Sequence, residues 1–135
     1  MDKLTNIEIG TFLKLFNRGG YVLDFTTNDF DVFTMESIGI ALCNEYHMSK
    51  GKSLAAYVNS ASTSDIEKLL NDLLSYYEEN YEQEYTENLT DDEYSYCQYN
   101  AEYARLYKKC RAYMNRVFNN TTPLAVNAPE SQEKL

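Results

Sequence analysis

Ile66, Leu69, Leu70, Leu73, Leu74, Tyr77 and Tyr81 recur at three- and four-residue steps. That spacing puts all of them on one stripe of an α-helix, and such a stripe has to be buried against other elements. A second periodic run follows from Asp91 to about Phe118. There Tyr96, Tyr99, Tyr103, Leu106, Cys110, Tyr113 and Val117 step 3-4-3-4-3-4, an a/d heptad seam. Its first turn carries Asp91, Asp92 and Glu93, and its later turns carry Arg105, Lys108, Lys109, Arg111 and Arg116, an order that opposes the helix dipole at both ends. The tyrosine-rich seam suits a homodimer as well as packing within one chain. A chain of 135 residues is large enough to bury one core without metals or disulfides. The expectation is an all-α, or nearly all-α, single domain of five or six helices over residues 1–118, the last helix being the longest. The polar tail 119–135, with Pro123 and Pro129, reads as disordered.

The first half supplies the other helices. Thr5 and Glu8 form a capping box, Ile9, Phe12, Leu13 and Phe16 share one face behind it, and Gly19-Gly20 stops that helix. "YVLDF" (Tyr21 to Phe25) is a short strand or an extended connector. Thr27-Asn28-Asp29 offers a cap for a short helical piece. Apolar residues from Thr34 to about His47 predict a buried helix with Gly39 as a close-packing point. "MSKGKS" reads as a turn and "LAAYVN" as one or two helical turns. Ser64-x-x-Glu67 and Thr90-x-x-Glu93 are further capping boxes, opening the 66–81 helix and the last helix. Phe12, Phe16, Leu69, Leu70 and Leu73 are the expected core.

Charge is distributed unevenly. The formal net charge is −9, from 12 Lys and Arg against 21 Asp and Glu. Residues 76–103 hold nine carboxylates, eight tyrosines and no Lys or Arg, which leaves 12 charges of each sign elsewhere. All of the net charge therefore lies in that stretch, an acidic, tyrosine-rich helical hairpin. It repels nucleic acid and anionic membranes and attracts basic proteins. A plain alternative is a solvated helix end whose tyrosines cover a small core. Eight tyrosines exceed the need of one helical stripe, however, and tyrosine brings large, rigid contact area to interfaces.

Catalytic patterns are weak. His47 is the only histidine, and it stands at an expected helix end. No CxxC or second histidine offers a zinc site, so no metal or cofactor is expected. Gly51-Lys52-Ser53 evokes a phosphate loop, but Tyr46 occupies the position of that motif's first glycine. Asp24, Asp29 and Asp31 lack the glycine and the closing glutamate of a calcium loop. Cys43, Cys97 and Cys110 are odd in number, and on one helix the last two would lie roughly 20 Å apart, too far for a disulfide. With no apolar signal core or membrane span, a cytoplasmic protein with reduced thiols is expected.

The stretch "FLKLFNRGGYVLDFTTNDFDVFTMESIGIALC" (Phe12 to Cys43), continued by "SKGKSLAAYVNSA" and "DIEKLLNDLLSYYE", carries a family resemblance. It resembles the N-terminal domains found in front of effector domains in AbiJ-type abortive-infection proteins of bacteria and their phages. The resemblance covers residues 5–79 and is most specific at Leu15 to Phe25, "TMESIG" and "SKGKSL". It implies a small, mainly helical module of phage–host conflict that senses or regulates rather than cuts. The family's ribonuclease activity belongs to a separate helical domain with a closely spaced Arg–His motif. Here Arg18 lies 29 residues before the single histidine, so toxin activity is not implied. Residues 80–135 depart from the pattern, either as an acidic addition to a free-standing variant or because the chain is a piece of a longer protein.

Two functions follow. The first is a non-enzymatic, acidic protein-binding module, a sensor, regulator or adaptor of a defence system. The alternative is an acidic inhibitor that imitates nucleic acid and fills the groove of a nuclease, as an anti-CRISPR protein does. Either takes a basic macromolecule as partner, most simply a nucleic-acid-binding protein. The expected contacts are Glu78, Glu79, Glu82, Glu84, Asp91, Asp92 and Glu93 for the field, with Tyr81, Tyr85 and Tyr94 for contact area.

Overall fold

A computed structural model describes residues 3–87 and 98–119. Helix accounts for 73% of them, in seven segments beside one two-stranded ribbon, so the chain is mostly α as expected. The helices are α1 (Asn6–Phe16), α2 (Thr27–Ile38), α3 (Leu42–Tyr46), α4 (Lys50–Val58), α5 (Thr63–Asn80), α6 (Glu82–Tyr85) and α7 (Ala101–Asn119). The last is the longest of them, and it runs one residue past the expected end of the domain.

Helix α1 starts as its sequence dictates. Thr5 and Glu8 exchange side-chain-to-backbone hydrogen bonds in a complete capping box. Ile9, Phe12, Leu15 and Phe16 face inward and pack toward α7. The helix ends at Phe16, before the glycines rather than at them. Asn17 and Arg18 (β1) pair antiparallel with Tyr21 and Val22 (β2), joined by Gly19-Gly20. Both glycines have positive φ, 63° and 95°, which a two-residue hairpin loop of this hand requires. The glycine pair therefore turns a hairpin instead of capping a helix.

Three boundaries in the first half differ from expectation, each for a local reason. Thr26, not Thr27, caps α2, which continues to Ile38. Gly39 then adopts φ 77° and its N–H binds the Met35 carbonyl, so this glycine is a left-handed C-cap. It is not a close-packing point, since an added Cβ there would meet nothing within 4 Å. The single buried helix expected from Thr34 to His47 is accordingly split, with α3 as a separate segment. His47 closes α3 in the left-handed region at φ 57°. Asp31 accepts from the Cys43 N–H at 2.7 Å and the Asn44 N–H at 3.2 Å, capping α3 from outside.

"MSKGKS" is not a turn. Ser49 caps α4 by accepting from the Lys52 N–H, and Lys50 to Ser53 form the first helical turn. Gly51 sits there because the hairpin presses on it. Its N–H donates to the Gly20 carbonyl at 3.0 Å, and a Cβ would stand 3.3 Å from Gly20 backbone atoms. Helix α5 is capped by Ser62, whose side chain accepts from the Asp65 N–H, rather than by Ser64. Glu67, expected to complete a capping box, is buried and accepts from the Leu4 N–H at 2.9 Å.

The core gathers on α5. Phe12, Phe16, Leu69, Leu70 and Leu73 are all fully buried, together with Leu15, Phe30, Leu42, Leu54, Leu74 and Tyr77. Against them α7 lays Leu106, Cys110, Met114 and Val117. The seam expected on the last helix is thus real from Leu106 onward, widened by Met114. Tyr103 and Tyr113 are half-buried and Tyr99 is exposed. The described helix begins at Ala101, because Asn100 accepts from the N–H groups of Glu102 and Tyr103 and caps it there. The box at Thr90, the first turn at Asp91–Glu93, Tyr96 and Cys97 lie outside the described residues, as does the tail from 120 onward. Cys43 and Cys110 are buried free thiols, and burial pushes Cys110 up to about 12.

Candidate functional site

The acidic, tyrosine-rich stretch begins on α5, and helical geometry divides it at once. Successive residues of a helix point about 100° apart, so neighbours in sequence go to different faces. One face turns toward α6 and α7, the other toward α2.

On the inward face a stack of tyrosines joins three helices. Tyr77 stacks on Tyr81 with ring centroids 5.3 Å apart and on Tyr85 at 5.6 Å, while Tyr85 stacks on Tyr107 at 4.1 Å. An ion pair stands at each end of the stack. Glu84 is buried and receives a two-pronged contact from Arg18, at 2.9 and 3.3 Å, and the Tyr77 hydroxyl at 2.7 Å. Arg18 also donates to the Leu15 carbonyl and lies 3.7 Å from the Tyr103 ring centroid. Glu78 is half-buried, accepts from the Tyr107 hydroxyl at 2.6 Å and pairs with Arg111 at 2.8 Å. Burial disfavours the Arg18 charge, but the Glu84 carboxylate outweighs it and raises the guanidinium above its ordinary value. Burial, helped by Glu84, also raises the Tyr77 hydroxyl far above the usual tyrosine range.

This alters the expected contact set. Tyr81, chosen for external contact area, is 3% exposed and belongs to the core. Glu84, chosen for the external field, is 7% exposed and neutralised by Arg18. Glu78 is compensated by Arg111, and Tyr85 is half-buried with its hydroxyl donating to the Glu78 carbonyl. Glu79 and Glu82 are exposed, with no ion-pair or hydrogen-bond partner among the described residues. Asp91, Asp92, Glu93 and Tyr94 lie outside the described residues. The sequence reading treated the run as one surface because both arginines are remote in the chain. Arg18 lies 66 residues from Glu84, and Arg111 lies 33 from Glu78.

The outward face of α5 meets α2 along a cleft of about 530 Å³. Phe33 and Tyr76 bring aromatic rings to it, Glu36, Asp72 and Glu79 bring carboxylates, and Glu78 borders it with its own carboxylate held by Arg111 and Tyr107. Tyr76 stacks on Phe25 at 4.4 Å and meets Phe33 edge-on at 5.8 Å, which fixes its ring. Its hydroxyl donates to Asp24 at 2.9 Å; burial and that carboxylate push it up to about 12. Asp72 accepts from Ser37 at 2.6 Å and pairs with Lys68 on the next turn of α5. Glu36 and Glu79 have no such partner among the described residues. The residues at 33, 36, 37 and 72 carry no local signal, since only their meeting in space gives them significance. Met35, which the apolar pattern from Thr34 assigns to a buried helix, is instead half exposed.

Chemically the cleft offers unpaired negative charge over fixed aromatic rings, an arrangement that attracts cations and guanidinium groups. Among the described residues no three His, Cys, Asp or Glu side chains converge to hold a metal ion. No helix among them is long and apolar enough to cross a membrane. No family model, curated protein or solved structure matches the chain.

Proposed function

We propose that the chain is a non-enzymatic, acidic binding module that holds a basic protein. The observation that carries this reading is the uncompensated charge. Glu36 and Glu79 stand exposed and unpaired among the described residues, while Glu78 and Glu84, which join the helices, each have an arginine. Unpaired carboxylates repel one another and add nothing to folding, so a partner of opposite charge is the simplest use for them. His47 is a helix cap and Asp31 a cap of α3, which gives the suggestive titratable groups structural employment. On the sequence resemblance to AbiJ-type N-terminal domains, the role proposed is that of a sensor, regulator or adaptor in phage–host conflict, acting in the cytoplasm. A nucleic-acid mimic needs a long row of bare carboxylates. Glu78, Glu84 and Glu102 each pair with an arginine, so the mimic reading stands second.

Affinity capture from the native host tests this directly. The immobilised chain should retain a basic protein at 0.1 M salt and release it near 1 M, where the Debye length falls from about 10 Å to about 3 Å. The purified chain should hydrolyse neither RNA, DNA nor nucleotides, with or without divalent metal. Robust turnover lost on His47→Ala, or capture of nucleic acid in place of protein, would sink the proposal.

A further inference from the structure

The cleft between α2 and α5 borders a second depression at Glu36. This one, of about 390 Å³, is lined by Asp31, Val32, Met35, Glu36 and Ala41. Val32 and Met35 are about half exposed, at 51% and 50%, among the largest apolar exposures on the described surface. On α2, Val32, Met35 and Glu36 fall at i, i+3 and i+4, so they share one face. On α5, Asp72, Tyr76 and Glu79 fall at i, i+4 and i+7 and line the cleft opposite Phe33, Glu36 and Ser37. Among the described residues no Lys or Arg lines either depression. The cleft between the two helices is thus aromatic and acidic, and beyond Glu36 lies a separate, apolar depression on α2.

We propose that this groove is the docking site for a basic amphipathic helix of a partner protein. The claim rests on the binding-module reading above and assigns it a seat and a ligand chemistry. A groove walled by two helices suits a third helix, which presents anchors at three- and four-residue steps. An arginine of the incoming helix stacks over Tyr76 and Phe33 and pairs with Glu36 and Glu79, for which a planar guanidinium is better suited than an ammonium. One turn away an apolar side chain of the same helix covers Val32 and Met35. Nucleic acid is excluded by the sign of the groove, and an acidic peptide by the same repulsion.

The probe is a synthetic 18-residue helical peptide with an arginine flank and a leucine stripe, read by fluorescence anisotropy. A second peptide of equal charge, with serine in place of leucine, serves as control. The wild-type protein should bind the first more tightly than the second by about tenfold, the size of one lost hot-spot anchor. E36K/E79K should weaken the first peptide about tenfold or more at 0.1 M salt. V32S/M35S should erase the preference between the two peptides, and E82K/E87K, away from the groove, should change affinity less than about twofold. Circular dichroism on each variant verifies the fold. Equal loss from E82K/E87K and E36K/E79K would overturn the groove as the seat and leave a diffuse acidic binding module standing. Absence of binding by either peptide at any salt would overturn both readings. Self-association of the wild type that E36K/E79K abolishes would show a second copy in the groove and overturn the foreign helix.

Discussion

Tyr76 and Tyr77 are adjacent in the chain and belong to two different surfaces, while Glu78 and Glu79 both border the α2–α5 cleft and differ in that Glu78 is held by Arg111. Tyr77 and Glu78 turn inward, one to the buried Glu84 and the Tyr81 ring, the other to Arg111 and Tyr107. Tyr76 and Glu79 turn toward α2 and line an open groove beside Glu36. The residue types are the same on both sides; what differs is whether an arginine from a distant element arrives. Where Arg18 and Arg111 arrive, carboxylate and tyrosine become cement between α5, α6 and α7. Where none does, the same groups remain a charged surface. Composition alone locates the field, and only the pairing shows which part of it faces outward.

The difference is broken most severely by removing a carboxylate from the inward side. Glu84→Ala should destabilise the protein by about 3–5 kcal/mol, because it strands the largely buried Arg18 guanidinium. Replacing both partners by apolar residues, R18M/E84M, should recover part of that loss. A single-variant loss below about 1 kcal/mol in urea unfolding would remove Glu84 from the inward set. Leu73→Ala calibrates the scale on the same helix. Its side chain is fully buried, so a cavity cost of about 2–5 kcal/mol is expected with no charge involved. Tyr77→Phe keeps the stack and deletes one donor to a buried carboxylate, for a loss of about 1–3 kcal/mol.

Much of the fold was legible because periodicity is local. Phe12, Phe16, Leu69, Leu70 and Leu73 are core residues that a 3.6-residue repeat identifies without further information, and the Thr5–Glu8 box marks its helix start correctly. The glycines mislead for two different reasons. Gly51 sits inside a helix because the Gly19-Gly20 hairpin lies against it, a tertiary cause, whereas Gly39 is a local C-cap that ends a helix which the apolar pattern continues. Ser62, Ser64 and Thr63 compete for one cap, and Glu67 could not be assigned to Leu4 from sequence. Of the candidate site, the position of the charge was readable and its division was not. No local pattern announces that Arg18 will meet Glu84, or that Glu36 and Asp72 will share a cleft with Tyr76.

Another compensated pair offers a pH-dependent check on the inward rule. Glu8, on α1, receives both Arg116 terminal nitrogens at 2.6 and 2.7 Å, and that bonding lowers its carboxyl from 4.5 to about 2. The folded state therefore binds a proton less readily than the unfolded one at this site. Its contribution is fully present above about pH 4.5 and is lost as pH falls toward 2. Glu8→Gln should cost about 1–2 kcal/mol at neutral pH, the low side for hydrogen bonds to a charged group because the pair is partly exposed. Unfolding curves for wild type and variant should converge near pH 2. A constant offset between them down to pH 2 would make the Glu8 contribution one of packing and not of charge.

The smallest effect is expected at Tyr76, on the groove side. Tyr76→Phe retains the ring against Phe25 and Phe33 and deletes only the bond to Asp24, a carboxylate that is exposed and can take water instead. A loss of about 0.5–1 kcal/mol is expected, below that of Tyr77→Phe next door. Alkaline unfolding adds the sign. Burial and Asp24 raise the Tyr76 hydroxyl from 10 to about 12, so the folded state holds this proton more tightly than the unfolded chain. Its contribution is present below about pH 10 and lost as pH climbs through 12, and Tyr76→Phe should remove that part of the alkaline sensitivity. Equal losses from Tyr76→Phe and Tyr77→Phe at neutral pH would mean that the two faces of α5 are alike, and the division between internal cement and open groove would fail.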